Sequence, residues 1–230
     1  MKYLLLSSLL AAKYALAYQV GPPPPAGGNL RNKNPRHYLR DFQAQELRLQ
    51  LDAMKDARIR VTDVEHHRRR ELERFASKLC AYDSPVEASQ VSNHLVDTKW
   101  RLAFSSDQQV LDQWHNQAQS IHLEFQDESL VHYIVNLGKR MLPVQRRLQS
   151  NTQSNKNNGG ASVVFTNQAD QKDALESMHD SAIAKMGFLK TCKAGIDTAY
   201  FDGDVWIEQS LCTVTGKEYS NIYLRETEDL

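Results

Sequence analysis

Apolar residues recur along this chain first at helical spacing and then at alternating spacing. Between Tyr38 and Arg60, the residues Leu39, Phe42, Leu47, Leu49, Leu51, Met54 and Ile59 stand among Gln, Arg, Asp and Lys without Gly or Pro. That pattern predicts a helix with an untidy apolar stripe. A second helix is expected to start at Thr62, where Glu65 three residues later completes the pattern of a capping box. Val64, Leu72, Phe75, Ala76 and Leu79 then continue at near-helical spacing up to Pro85.

Beyond Asp97 the period changes to two. Trp100, Leu102 and Phe104 alternate with Arg101 and Ala103, and Ile121, Leu123 and Phe125 alternate with His122 and Glu124. Both runs predict half-buried strands, and Leu130 to Leu137 continues the pattern after an Asp127-Glu128-Ser129 turn. Gln149 to Gly160 has almost no apolar residue and reads as a surface loop. A strand over Ala161 to Thr166, a helix over Gln171 to Met186, and two strands around Thr198 to Glu208 and Ser220 to Arg225 complete the order. The fold class expected is mainly β (α+β): a lipocalin-like antiparallel barrel preceded by one or two helices, with a further helix inserted before the last strands.

The N-terminal stretch reads as addressing. Met1 and Lys2 precede an apolar run from Tyr3 to Leu10, and Ala15-Leu16-Ala17 offers small residues at a signal-peptidase site, so residues 1–17 are expected to be a signal peptide. The run is short and interrupted by Lys13, which makes a permanent membrane span the weaker reading. Residues 18–37 hold Pro22 to Pro25 and then basic residues, with no acidic residue before Asp41. A signal peptide, an aromatic Tyr18 and a basic follow-on resemble the two-part plastid presequence of algae with secondary plastids, where Phe usually stands at that position. The alternative is a secreted protein with a proline-rich linker. Residues 38–61 then form a helical arm, and 62–228 the folded domain.

Composition narrows the function classes. Lys plus Arg equals Asp plus Glu at 28 each, so overall charge does not argue for nucleic acid as a partner. The run His66-His67-Arg68-Arg69-Arg70 reads as a solvated basic face, with contact to acidic lipid headgroups or a partner as the alternative. Adjacent histidines on a helix diverge, which disfavours a shared metal. Cys80, Cys192 and Cys212 lack C-x-x-C spacing, although Cys192 and Cys212 could pair if their strands are neighbours. No Gly-x-Ser-x-Gly elbow or assignable Ser/His/Asp set occurs, so no catalytic residue, metal ligand or cofactor is nominated.

Two separated segments resemble the plastid lipid-associated protein family, also called fibrillins or plastoglobulins. In LVDTKWRLAFSSD, the residues Lys99, Trp100, Leu102, Phe104 and Ser105 are similar to the family's Gly-Lys-Trp strand, with Thr98 where that family has Gly. In TAYFDGDVWI, the residues Tyr200, Asp202, Asp204 and Ile207 match the family's C-terminal strand signature, with Trp206 in place of its Arg. SIHLEFQDESLVHYIV is similar to its paired strands. The resemblance covers roughly residues 60 to 227 and implies a barrel that binds acyl lipids, prenylquinones or carotenoids at a thylakoid or plastoglobule surface. The protein would then lie in the plastid stroma or at the thylakoid or plastoglobule periphery.

On this reading the ligand would meet apolar strand positions such as Trp100, Leu102, Phe104, Phe125, Tyr133 and Phe165. For Trp100 the competing role is packing at the base of the barrel. Read as one strand, Tyr200, Asp202 and Asp204 share a face opposite Phe201, Val205 and Ile207. The two aspartates then serve hydrogen bonds or salt bridges at the barrel rim in preference to a metal, because EF-hand spacing is absent. A different functional class is also open: a structural or assembly subunit of a plastid membrane complex, with a filled barrel and the helical arm as its docking element.

Overall fold

The structure is a computed structural model that describes residues 35–106, 119–136, 138, 141–154, 161–167, 195–211, 216 and 218–226. The chain divides into two compact units, Met1–Tyr38 and Leu39–Leu230. The first described helix, α1, spans Pro35–Asp56 and therefore begins at the end of the first unit. It stops where Arg58 takes a left-handed φ of 55°. The Ile59 amide then donates to the Met54 carbonyl and the Arg58 amide to that of Lys55, each at 2.9 Å, which satisfies the last carbonyls as a Schellman cap does.

Helix α2 spans His66–Cys80 after a single 3-10 turn at Val61–Asp63. The capping box expected at Thr62 does not form. Thr62 donates to Asp63, Arg60 holds Asp63 at 2.7 Å, and the helix begins only after Glu65, whose side chain makes no cap. A short helix, α3, spans Val91–Leu95.

Eight described strands follow in simple meander order: β1 Thr98–Ser105, β2 Ser120–Phe125, β3 Leu130–Asn136, β4 Met141–Ser154, β5 Ala161–Asn167, β6 Gly195–Phe201, β7 Val205–Leu211 and β8 Glu218–Glu226. Each pairs antiparallel with its neighbours, and β1 also pairs with β8, so the sheet closes into a barrel. This is the mainly β, lipocalin-like architecture with helices ahead of it that the strand pattern predicts. Closure leaves no unpaired edge between β8 and β1. The expected inserted helix at 171–186 and the Cys192–Cys212 pairing lie outside the described residues.

The β2–β3 hairpin matches the alternation. Asp127 Oδ1 accepts from the Ser129 and Leu130 amides, both at 2.7 Å, and these bonds hold its carboxyl below the usual aspartate range. Two expectations are corrected. The polar stretch from Gln149 is not loop up to Ser154, because β4 continues there in register with β5, from Leu148 opposite Asn167 to Ser154 opposite Ala161. Backbone pairing supplies that strand where its side chains give no apolar signal. Residues 155–160 lie outside the described residues.

Thr198 to Glu208 is not one strand but a hairpin. Asp202-Gly203-Asp204 reverses the chain, with Gly203 at a φ of 97° that other residues rarely adopt. Asp202 Oδ1 accepts from the Asp204 and Val205 amides at 2.9 and 2.6 Å and fixes the turn. The reversal sorts the faces differently from a single strand: Tyr200 lies opposite Ile207, and Phe201 opposite Trp206.

Two apolar clusters result. Inside the barrel lie Trp100, Leu102, Leu123, Phe125, Val131, Val135, Val163, Phe201, Trp206 and Tyr223, joined by Val91 and Leu95 of α3. Outside it, Leu47, Leu51 and Met54 of α1 and Leu72, Ala76 and Leu79 of α2 pack on Ala103, Phe104, Tyr200, Val205, Ile207, Ile222 and Leu224. The two helices therefore cover the β6–β7–β8–β1 wall.

Candidate functional site

The interior is built from inward positions two residues apart. One end is filled by aromatic rings. Trp206 meets Tyr223 at 5.2 Å between centroids, Trp100 edge-on at 5.8 Å and Phe125 at 5.9 Å, and Trp100 meets Phe201 at 5.4 Å. Both indole N–H groups are satisfied within the barrel wall, Trp100 donating to Thr98 at 2.8 Å and Trp206 to Thr198 at 3.1 Å. The Thr98 hydroxyl in turn donates to the Leu95 carbonyl, which ties α3 across this end. Trp100 thus takes the base-packing place weighed for it in the sequence.

Of the six expected pocket residues, Trp100, Leu102 and Phe125 lie in the interior cluster. Phe104 does not. The register between β1 and β8 shifts between Leu102 and Phe104, and this bulge sends Ala103 and Phe104 together to the helix-covered outer face. Tyr133 and Phe165 have backbones in register, opposite Leu123 and Ile196 respectively, and their side chains lie outside the described residues.

Of the residues that carry the family resemblance, Trp100 and Leu102 are interior, whereas Lys99, Phe104, Tyr200, Asp202, Asp204 and Ile207 sit at the turns and outer wall. Lys99 Nζ is 3.9 Å from Glu226. The Tyr200 hydroxyl donates to Asp202 at 3.1 Å, and burial together with that neighbouring carboxylate pushes its pKa up. Burial also raises the Asp202 carboxyl, against the lowering effect of its backbone hydrogen bonds. Asp204 meets Arg48 of α1 at 2.7 Å, and Ile207 packs under the helices. Of these, Asp204 through Arg48, and Tyr200 and Ile207 by packing, join the barrel to the helices.

Joined to the aromatic end through Tyr223 lies a group that no sequence motif marks. Glu208 of β7 is fully buried and faces Asn221 of β8 across the ladder. Its carboxylate accepts from Asn221 Nδ2 at 2.8 Å, from the Tyr223 hydroxyl at 3.1 Å and from the Tyr219 hydroxyl at 3.3 Å. Tyr219, Asn221 and Tyr223 are i, i+2 and i+4 on one strand, so all three face inward, and Trp206 two residues before Glu208 sets the same parity on β7. A signal was present: once Trp206 is inward, Glu208 must be.

A second constellation lies on the outer face. Glu226 Oε2 is 3.1 Å from His122 Nδ1, and His122 Nε2 is 2.9 Å from the Ser120 hydroxyl. The order of contacts is that of a hydrolytic relay. The charge of Glu226 is shared with Arg101, Lys99 and Lys55 at 3.9 to 4.0 Å, however. Next to Ser120, the Gln119 amide donates to the Asn136 carbonyl at 2.7 Å and the Gly138 amide to Asn136 Oδ1 at 2.8 Å. The arrangement serves as an electrostatic clamp between β1, β2 and β8.

Among the described residues, no group of three or more His, Cys, Asp and Glu side chains is placed to hold a metal ion, and no helix is long and apolar enough to cross a membrane. Compared with known proteins, the chain matches no family model, no curated protein and no solved structure.

Proposed function

We propose that this chain is a non-enzymatic carrier that holds an apolar molecule inside its barrel, beside Glu208 and Asn221. The observation that carries the reading is the buried carboxyl of Glu208 and its hydrogen-bond partners beside the interior apolar cluster. A barrel that only had to pack would be at least as stable with hydrocarbon there, since burying a carboxylate and its partners costs free energy that their hydrogen bonds offset only in part. An apolar wall with a few convergent polar groups is the usual form of a site for a small apolar ligand. The resemblance to plastid lipid-associated proteins supports acyl lipids, prenylquinones or carotenoids as the cargo, and peripheral contact with a thylakoid or plastoglobule surface as the setting.

The test is mass spectrometry of organic extracts of the purified chain after incubation with total plastid lipids and gel filtration. Stoichiometric recovery of one lipid, quinone or carotenoid class supports the carrier. Recovery no greater than from a non-binding control overturns it.

A second reading, a structural or assembly subunit of a plastid membrane complex, is favoured by α1. Leu39, Phe42 and Leu49 are about half exposed, on the side of the helix away from the buried Leu47, Leu51 and Met54. A helix apolar on two sides suits contact with a second surface.

A further inference from the structure

We propose that the Glu208, Tyr219, Asn221 and Tyr223 cluster selects apolar molecules ending in a neutral hydrogen-bond donor, an alcohol or a phenol, over those ending in a carboxylate or an ester. The inference rests on the carrier reading and adds the ligand's polar end to it.

The argument starts from Asn221, which is 4% exposed. The amide atom 2.8 Å from the Glu208 carboxylate has to be the one bearing hydrogens, and this chemistry fixes which end of the amide is Oδ1. That Oδ1 is buried and has no hydrogen-bond partner. An acceptor left unpaired in the interior costs about 1–3 kcal/mol, and buried polar atoms in folded proteins are nearly always paired. The missing partner must be a donor.

The neighbours set its charge. The Tyr219 and Tyr223 hydroxyl protons point at Glu208, so neither is offered to a ligand. A ligand carboxylate brings only acceptor oxygens up to Asn221 Oδ1, itself an acceptor, and cannot pair with it. An ester or ketone offers only acceptors and leaves Asn221 Oδ1 as it was. An ammonium group would donate, but its desolvation costs several kcal/mol and Glu208 already accepts three hydrogen bonds. A hydroxyl meets the requirement without any of these costs.

Retinol, retinyl acetate and retinoic acid share one polyene and differ only at the end group. We would titrate each into the full chain and follow quenching of tryptophan fluorescence. Retinol should bind about tenfold or more tightly than the other two, as expected for one well-placed buried hydrogen bond. Asn221→Leu should remove that preference, bringing retinol affinity down to that of retinyl acetate. Equal affinities, or retinoic acid binding best, overturn donor selection while leaving a carrier in place. Failure of all three to bind overturns the proposal, and the lipid-extract experiment then decides independently whether the chain carries anything. Should Asn221→Leu not fold by circular dichroism, the order of the three affinities in the unmodified chain still decides.

Discussion

Glu208 and Asn221 stand directly opposite each other on β7 and β8, with the amide nitrogen of one 2.8 Å from the carboxylate of the other. Replacing Glu208 by Leu would leave the donors of Tyr219, Asn221 and Tyr223 without their acceptor inside the barrel. The expected loss of stability is about 3–5 kcal/mol, and Glu208→Gln, which keeps one acceptor oxygen, should lose less. Urea unfolding of the two variants measures this. A Leu variant as stable as the parent would show that the cluster contributes nothing to the fold.

At the end of α1, Arg58 holds a left-handed φ of 55° that glycine adopts without penalty. Arg58→Gly is therefore expected to stabilise the chain by about 0.5–1 kcal/mol. Thermal melting at one pH compares the two, and a lower midpoint for the glycine variant contradicts the cap described for this helix.

Stability should fall on the acid side through Glu226. Its carboxyl lies below the ordinary 4.5, first because His122 Nδ1 approaches it at 3.1 Å and then through the charges of His122, Lys99 and Lys55, with burial acting in the opposite sense. Because the folded pKa is the lower one, the stabilisation is fully present above 4.5 and is lost as pH falls through the folded value. Glu226→Gln should cost less than about 1 kcal/mol near neutrality, since the pair is partly exposed. The difference from the parent should shrink below pH 4.5 in denaturant titrations; a constant difference counts against this clamp.

Burial pushes the Cys80 thiol up to about 12. At pH 8 almost none of it is thiolate, so iodoacetamide should leave Cys80 unmodified in the folded chain and label it readily in urea. Peptide mass spectrometry separates Cys80 from the other cysteines. Rapid labelling of the folded chain would mean that α2 opens locally.

How far the fold could be read depended on which walls are covered. The β2–β3 hairpin was legible because its outward residues, His122 and Glu124, remain polar beside inward Ile121, Leu123 and Phe125. β1 and β7 were harder, since they are apolar inward against the barrel interior and outward against α1 and α2, and alternation fades when both faces are buried. Phe104 reads as inward because nothing in the alternation marks the bulge after Leu102, and Asp202-Gly203-Asp204 reads as mid-strand because apolar residues flank it on both sides. Glu208 carries little signal because a lone acidic residue in a strand ordinarily faces water. Only its two-residue spacing from Trp206, and the matching spacing of Tyr219, Asn221 and Tyr223, pointed inward.

Because α1 and α2 cover only the β6–β7–β8–β1 wall, the barrel has a rigidity gradient around its circumference. Amides of β7, β8 and β1 are shielded by packing on two sides and should exchange with solvent only in global unfolding. In β4, by contrast, the successive residues Gln149, Ser150, Asn151 and Thr152 are all exposed, so both faces of the strand meet water there. Among the described residues, local opening is therefore expected first along this stretch of β4, where amide exchange should be fastest.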